Sequence, residues 1–240
     1  PKLPLVELIG GHLTSAIERL GVEVKTGQVV RQISAESTGG MVVTADGVVH
    51  QADHVVIAVP WHSVNDLIPA AAVKRSEILA ASPASPISGL HLWFDRQITD
   101  LPNAVLVGSV AQWVFRQPWE EDQASAGFYY QVVISASQSA RCLPRQELIE
   151  IVMNELQHAF PAARQATLVQ SKVVTDPKSV FSITPQFDGL RPPSRTGLPW
   201  LHLAGDWIAT GWPATMESAV ISGRMAASSL VEREFGGKLE

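Results

Sequence analysis

The sequence predicts a mixed α+β fold built on a mostly antiparallel sheet flanked by helices. Three observations carry that prediction. Short runs rich in β-branched and aromatic residues recur, bounded by glycine, proline and aspartate. Two long stretches, 144–160 and 215–234, carry apolar residues at helical spacing instead. A chain of 240 residues with 46% hydrophobic and 17% charged residues can bury a real core, which excludes disorder as the dominant state.

The elements follow in order. Leu5, Leu8, Ile9, Leu13, Ala16, Ile17 and Leu20 share one helical face, and Gly21 is placed to stop that helix. Val22 to Val24 and Val29 to Ile33 read as short strands. Met41 to Thr44 and Val48 to Val49 read as a hairpin around the turn pair Asp46-Gly47. Ala52 to Val59 reads as a buried strand ended by Pro60. Residues 63–81 read as helical with a break at Pro69, and Ser82 to Pro86 as a linker. Ile87 to Phe94, Ala104 to Phe115 and Gly127 to Ser135 read as strands. The third is apolar on both faces, which predicts a central place in its sheet. Pro144 opens an amphipathic helix with Leu148, Ile151, Val152, Leu156 and Phe160 on its inner face. Ala166 to Thr175 reads as a strand and the proline-rich stretch 182–199 as an ordered loop. Leu201 to Ala204 is a short strand, followed by Gly205-Asp206, a loop to Pro213 and a helix from Thr215 to Glu234. Met216, Ala219, Val220, Gly223, Ala226, Ala227, Leu230 and Val231 are expected to form its inner stripe.

Charge and composition exclude several classes. The balance of 18 basic against 23 acidic residues, a net charge of −5, leaves no basic stripe for nucleic acid. The most apolar run, Val55 to Trp61, is too short to span a bilayer. A single cysteine, Cys142, excludes an internal disulfide framework and a multi-cysteine metal site, and no metal is expected. A reducing cytoplasm is the simplest compartment. Pro1 without an initiator methionine reads as a chain cut from something longer, and 236–240 as a vector-derived tail.

The last segment carries the chemistry. A helix N-terminus after a strand and a glycine-containing loop offers free N–H groups and partial positive charge to an anion. A flavin ring suits such an end, because reduction gathers negative charge near its C2 carbonyl. The helix could stabilise the reduced state by about 0.3–2 kcal/mol. Asp206 is placed to accept from a ribityl or ribose hydroxyl. A plain strand–loop–helix, with Asp206 as a loop residue, accounts for the spacing equally well.

The stretch LHLAGDWIATGWPATMESAVISGRMAA resembles the C-terminal flavin-binding motif of the flavin amine oxidase and carotenoid desaturase superfamily. ADHVVIAVP and GVEVKTGQVVRQI resemble two other segments of it. SPISGLHLWFDRQITDLPNAVLVGSVAQWVF and PWHSV are most similar to its squalene-associated branch, the FAD-dependent hydroxysqualene dehydroxylases of hopanoid synthesis. The resemblance covers nearly the whole chain. It implies FAD as cofactor, with the Val30 backbone against the adenine and Gly205-Asp206 along the ribityl and pyrophosphate. Ala58 and Pro60 would line the cofactor, and Trp212 and Pro213 would lie near the ring edge. Thr215 and Met216 would stand at the helix start, the Met216 N–H near the C2 carbonyl.

The superfamily opens with a GxGxxG loop that holds the pyrophosphate. This chain has none, and Gly10-Gly11 falls inside a helix pattern. The expectation is a partial FAD-binding domain, Rossmann-like but lacking its N-terminal βαβ, in 1–60 and 197–235. Residues 61–196 would form the substrate domain. The expected partner is the missing N-terminal FAD-binding half, without which the fragment should be inactive. Amine oxidases of the superfamily carry an aromatic cage residue just before the Met-Glu pair. Here Thr215 stands there, which weighs against an amine substrate, and Lys172 and Lys178 read as solvated rather than as flavin-side lysines.

The branch implies reductive dehydroxylation of hydroxysqualene, with an apolar isoprenoid as the substrate and peripheral membrane contact, residues 63–81 offering an interfacial helix. A general acid is needed for the leaving oxygen. His62, His91 and Asp95 qualify by residue type alone. Three alternatives stand beside this reading: a carotenoid or phytoene-type desaturase, a flavin amine oxidase, and a non-catalytic binding module.

Overall fold

The computed structural model describes residues 7–69, 71–72, 82–116, 127–182 and 184–235. The fold is mixed helix and sheet, as expected, with two hydrophobic cores.

The chain enters through a π-helical turn, Leu8–Leu13, which contains Gly10-Gly11. It continues as α1 (Thr14–Arg19), and Gly21, at φ +75°, follows its end. Val22 to Val24 is not a strand; these valines stay exposed and find no pairing partner among the described residues, so branched side chains alone do not make a ladder. β1 (Val30–Glu36), β2 (Gly39–Thr44) and β3 (Val49–Ala52) form an antiparallel meander. The Asp46-Gly47 turn is where it was expected. Gly47 adopts φ +83°, Thr44 Oγ1 donates to Asp46, and the Thr44 N–H donates to Val48 O at 3.0 Å.

The expected strand Ala52 to Val59 is split. Ala52 ends β3, the chain turns at Asp53-His54, and only β4 (Val55–Ile57) follows. β4 pairs in parallel with β10 (Leu201–Leu203), Val55 opposite Leu201 and Ile57 opposite Leu203. α2 (Trp61–Val64) is one turn, and residues 65–68 leave the helix before Pro69. The rest of the expected helix, 70 and 73–81, lies outside the described residues.

The five-stranded antiparallel sheet has the order β6-β7-β8-β5-β9. β5 (Ala84–Phe94) begins within the expected linker; Pro86 is accommodated because the register shifts between Ser85 and Ile87. The expected strand Ala104 to Phe115 is a hairpin of two short strands, β6 (Asn103–Val105) and β7 (Trp113–Arg116). Gly108, at φ +79°, reverses the chain inside what reads as one apolar run. β8 (Phe128–Ile134) is the central strand, as its two apolar faces predicted. β9 (Leu168–Phe181) runs six residues beyond the expected end.

One face of this sheet is covered by α3 (Arg145–Ala159), which buries Leu148, Ile149, Val152 and Leu156 against Leu90, Leu92, Phe94, Tyr130 and Val132. Ile149 is inside where Ile151 was expected, and Ile151 is half-buried. The loop 182–199 contains the short helix α4 (Pro185–Asp188), capped by Thr184. The second core gathers Ile57, Trp61, Phe181, Trp200, Leu201, Leu203 and Trp207 around β4 and β10.

α5 (Met216–Phe235) turns a different face inward from the one expected. Ser218, Ser222, Ala226 and Ser229 are buried, while Met216 and Val220 are each 61% exposed. Ser218 and Ser222 win because polar groups of the loop after β10 reach their hydroxyls.

Candidate functional site

In open α/β arrangements ligands collect outside the carboxyl ends of parallel strands. β4 and β10 point the same way, so Ala58 to Pro60 and Gly205-Asp206 leave the pair at one edge. There they line a cleft of about 570 Å³ with His62 and Asp176, and Ala219 of α5 closes one side. Four residues expected at the cofactor, Ala58, Pro60, Gly205 and Asp206, therefore meet in one place, and the candidate His62 stands with them. The His62 ring packs edge-on against Trp61, and its Nδ1 is 3.0 Å from Ser63 Oγ.

Gly205 is fixed there by two constraints. Its φ is +143°, and a Cβ would lie 2.3 Å from Trp207 Nε1. That indole N–H donates to Val59 O at 2.9 Å, tying the β10 loop to β4. The Gly205 N–H donates to Ser222 Oγ at 2.7 Å, and the Ser222 hydroxyl in turn donates to Ala219 O at 2.7 Å. A serine on the inner face of α5 thus pins the turn.

Asp206 is half-buried, and burial pushes its carboxyl above the usual carboxylate range, with Arg191 pulling the other way. Arg191 is the residue that sequence reasoning missed. Its guanidinium is buried beneath the loop and donates to Asp206 O at 2.9 Å, Ile208 O at 2.6 Å and Trp212 O at 2.7 Å. It also reaches Ser218 Oγ at 3.3 Å and Asp188 at 3.2 Å. One planar fork holds three carbonyls of the Gly205–Pro213 loop. The signal in the sequence is only an arginine beside Pro192-Pro193.

Thr215 caps α5: its Oγ1 accepts from the Ser218 N–H at 3.2 Å. Met216 is the first helical residue. Trp212 and Pro213 line a neighbouring recess with Arg191 and Asp188, not the cleft itself. Val30 is half-buried against the core around β10 and does not line the cleft. Asp95 ends β5 in the open; its carboxylate holds Arg96 and the Thr167 N–H, the latter at 2.7 Å. His91 lies on the half-open face of β5 with Trp93 and Tyr129.

The model of the family "Flavin containing amine oxidoreductase" matches residues 10–231. The chain belongs to this family. It is 29% identical over 95% of its length to hydroxysqualene dehydroxylase of Zymomonas mobilis, covering 52% of that protein. It is 25% identical over 90% of its length to 15-cis-phytoene desaturase of Solanum lycopersicum, covering 39% of it. The chain thus spans about half or less of the length of these curated relatives. Among solved structures it is similar to a cofactor-site variant of putrescine oxidase, with TM-score 0.66 and 17% identity over 94% of this chain and 54% of that one. It is also similar to an oxidoreductase from Methanosarcina mazei, with TM-score 0.63 and 18% identity over 88% and 51% of the two chains. These structural likenesses show the fold.

A flavin-family chain takes FAD as its cofactor, and the residues present fit it. Small residues at Ala58, Gly205 and Ala219 and a half-buried carboxylate at Asp206 make a wall that an extended dinucleotide can approach closely. Among the described residues, no helix is long and apolar enough to cross a membrane.

Proposed function

We propose that the chain is the C-terminal portion of an FAD-dependent oxidoreductase that dehydroxylates hydroxysqualene to squalene. The observation that carries this reading is the sheet face that leaves the cleft. Asp176 lines the cleft and pairs with Ile87 on β5. From there the same face runs through Gly89 and Val174, with Val133 and Trp113 beside them, to His91, Trp93, Phe115 and Tyr129. Trp113 stacks on Phe115 with ring centroids 5.6 Å apart, and Trp93 packs on Tyr129 at 5.0 Å. Lys172, Gln131 and Gln170 share this face, but its rings are grouped; grouped aromatic faces suit an isoprenoid and stabilise cationic character at an allylic carbon.

When bound, the flavin supplies the hydride that replaces the departing hydroxyl. Asp206 would hold a hydroxyl of the ribityl chain, and Gly205 would admit the chain to the wall. The start of α5 would aim N–H groups at the ring. Trp212, Pro213, Thr215 and Met216 would stand around the ring, and the Val30 backbone at the adenine. The pyrophosphate would be held by an N-terminal half of the same protein. The substrate would be met at a membrane surface.

Thr215 places no aromatic ring before Met216, which disfavours the amine oxidase reading. The desaturase reading uses the same cleft in the oxidative direction; the phytoene desaturase is 25% identical against 29% for the hydroxysqualene dehydroxylase. The test is an anaerobic assay of the FAD-loaded long protein on hydroxysqualene and on phytoene. Squalene formed with reduced flavin supports the reading. Desaturated phytoene and no squalene would replace it.

A further inference from the structure

His91 is tied at one ring nitrogen and open at the other. Its Nδ1 lies 2.5 Å from the Tyr129 hydroxyl, and the two rings are nearly parallel, 8° apart. Among the described residues nothing else hydrogen-bonds to this imidazole. Its Nε2 leans over Gly89, 3.9 Å from where a Cβ would stand, beside Gln131 Nε2 at 3.8 Å from the same point. A side chain at 89 would fill that space. Gly89 is the next residue on this face toward Ile87 and Asp176, so Nε2 is on the cleft side of the ring. Asp176 is four residues along β9 from Lys172, the partner of His91, or about 13 Å.

The 2.5 Å contact pairs Nδ1 with the Tyr129 hydroxyl in either donor sense. Burial holds that hydroxyl above its ordinary range, so it keeps a proton that it can give to Nδ1. Burial and the neighbouring Lys172 ammonium hold His91 below its ordinary range, so the ring stays neutral. A neutral imidazole that accepts at Nδ1 carries its hydrogen on Nε2.

We propose that His91, fixed by Tyr129, is a specificity-determining residue that donates from Nε2–H to the oxygen of an isoprenoid alcohol lying on the sheet face over Gly89. This rests on the isoprenoid reading above and sharpens it: a hydrocarbon offers this donor nothing, whereas an oxygenated chain of the same length does. Leaving a desolvated donor unpaired is how a site rejects the analogue without the hydroxyl. One neutral hydrogen bond corresponds to about threefold to tenfold in affinity.

The test uses the FAD-loaded long protein with its histidine nitrogens labelled, farnesol and farnesene serving as matched probes. Long-range proton–nitrogen spectra should show His91 with hydrogen on Nε2, and Tyr129→Phe should mix the two tautomers. Farnesol should shift the Nε2 resonance and bind about threefold to tenfold more tightly than farnesene. His91→Gln, which keeps a donor, should retain part of that preference; His91→Phe should lose it while still binding farnesene. A hydrogen on Nδ1, or equal binding of both probes in the native chain, would overturn the proposal and leave the isoprenoid reading standing. Failure to bind either probe would overturn both.

Discussion

At the scale of single residues, Gly205 and Asp206 answer to different physics. Gly205→Ala forces a Cβ onto the Trp207 indole at a φ of +143°. The substitution should cost about 1–3 kcal/mol, measured by denaturant unfolding. Asp206 is governed by burial. Because its folded pKa is raised, the folded chain binds that proton more tightly than the unfolded chain. Stability should fall as pH rises from the ordinary carboxylate range through the raised value, and stay level above it. Asp206→Asn should remove that fall, and unfolding curves across acidic pH decide it. Both residues were legible as a strand-ending pair. Arg191 was not: its three carbonyl acceptors lie 15 to 21 positions away in the chain, and no local pattern marks such a partner.

At the scale of elements, legibility followed how local the deciding interaction is. The β2–β3 hairpin was readable because Asp46-Gly47 specifies its own turn. β8 was readable because a central strand needs two apolar faces. The Ala104–Phe115 run was misread because its reversal at Gly108 is held in place by a distant group. Glu155 of α3 accepts from the Val110 N–H at 2.8 Å and the Ala111 N–H at 2.7 Å, clamping the β6–β7 connection. Glu155→Ala should strand those two donors and cost about 1–3 kcal/mol, with Glu155→Gln losing less, as thermal unfolding would show. The inner face of α5 was misread for a related reason. Apolar periodicity favoured Met216 and Val220, but Ser218 and Ser222 answer polar groups of Arg191 and Gly205 that only tertiary structure brings to the helix. Val22 to Val24 failed as a strand for want of a neighbour to pair with among the described residues.

At the scale of the whole molecule, two cores share the chain, one under the five-stranded sheet and one around the parallel pair β4–β10. The cleft opens at the end of that pair, and the aromatic sheet face leads away from it. The family was legible because its C-terminal motif is contiguous in sequence. The face was not, because it is assembled from β5, β7, β8 and β9 across more than sixty positions. On the proposed reading the cleft is half of a flavin site that an N-terminal portion of the protein completes. The most direct test is the flavin absorbance retained through gel filtration after mixing with FAD, for this chain and for the long protein. The long protein should hold stoichiometric flavin and the 240-residue chain none. Stoichiometric flavin held by the chain alone, or none held by the long protein, would contradict that reading.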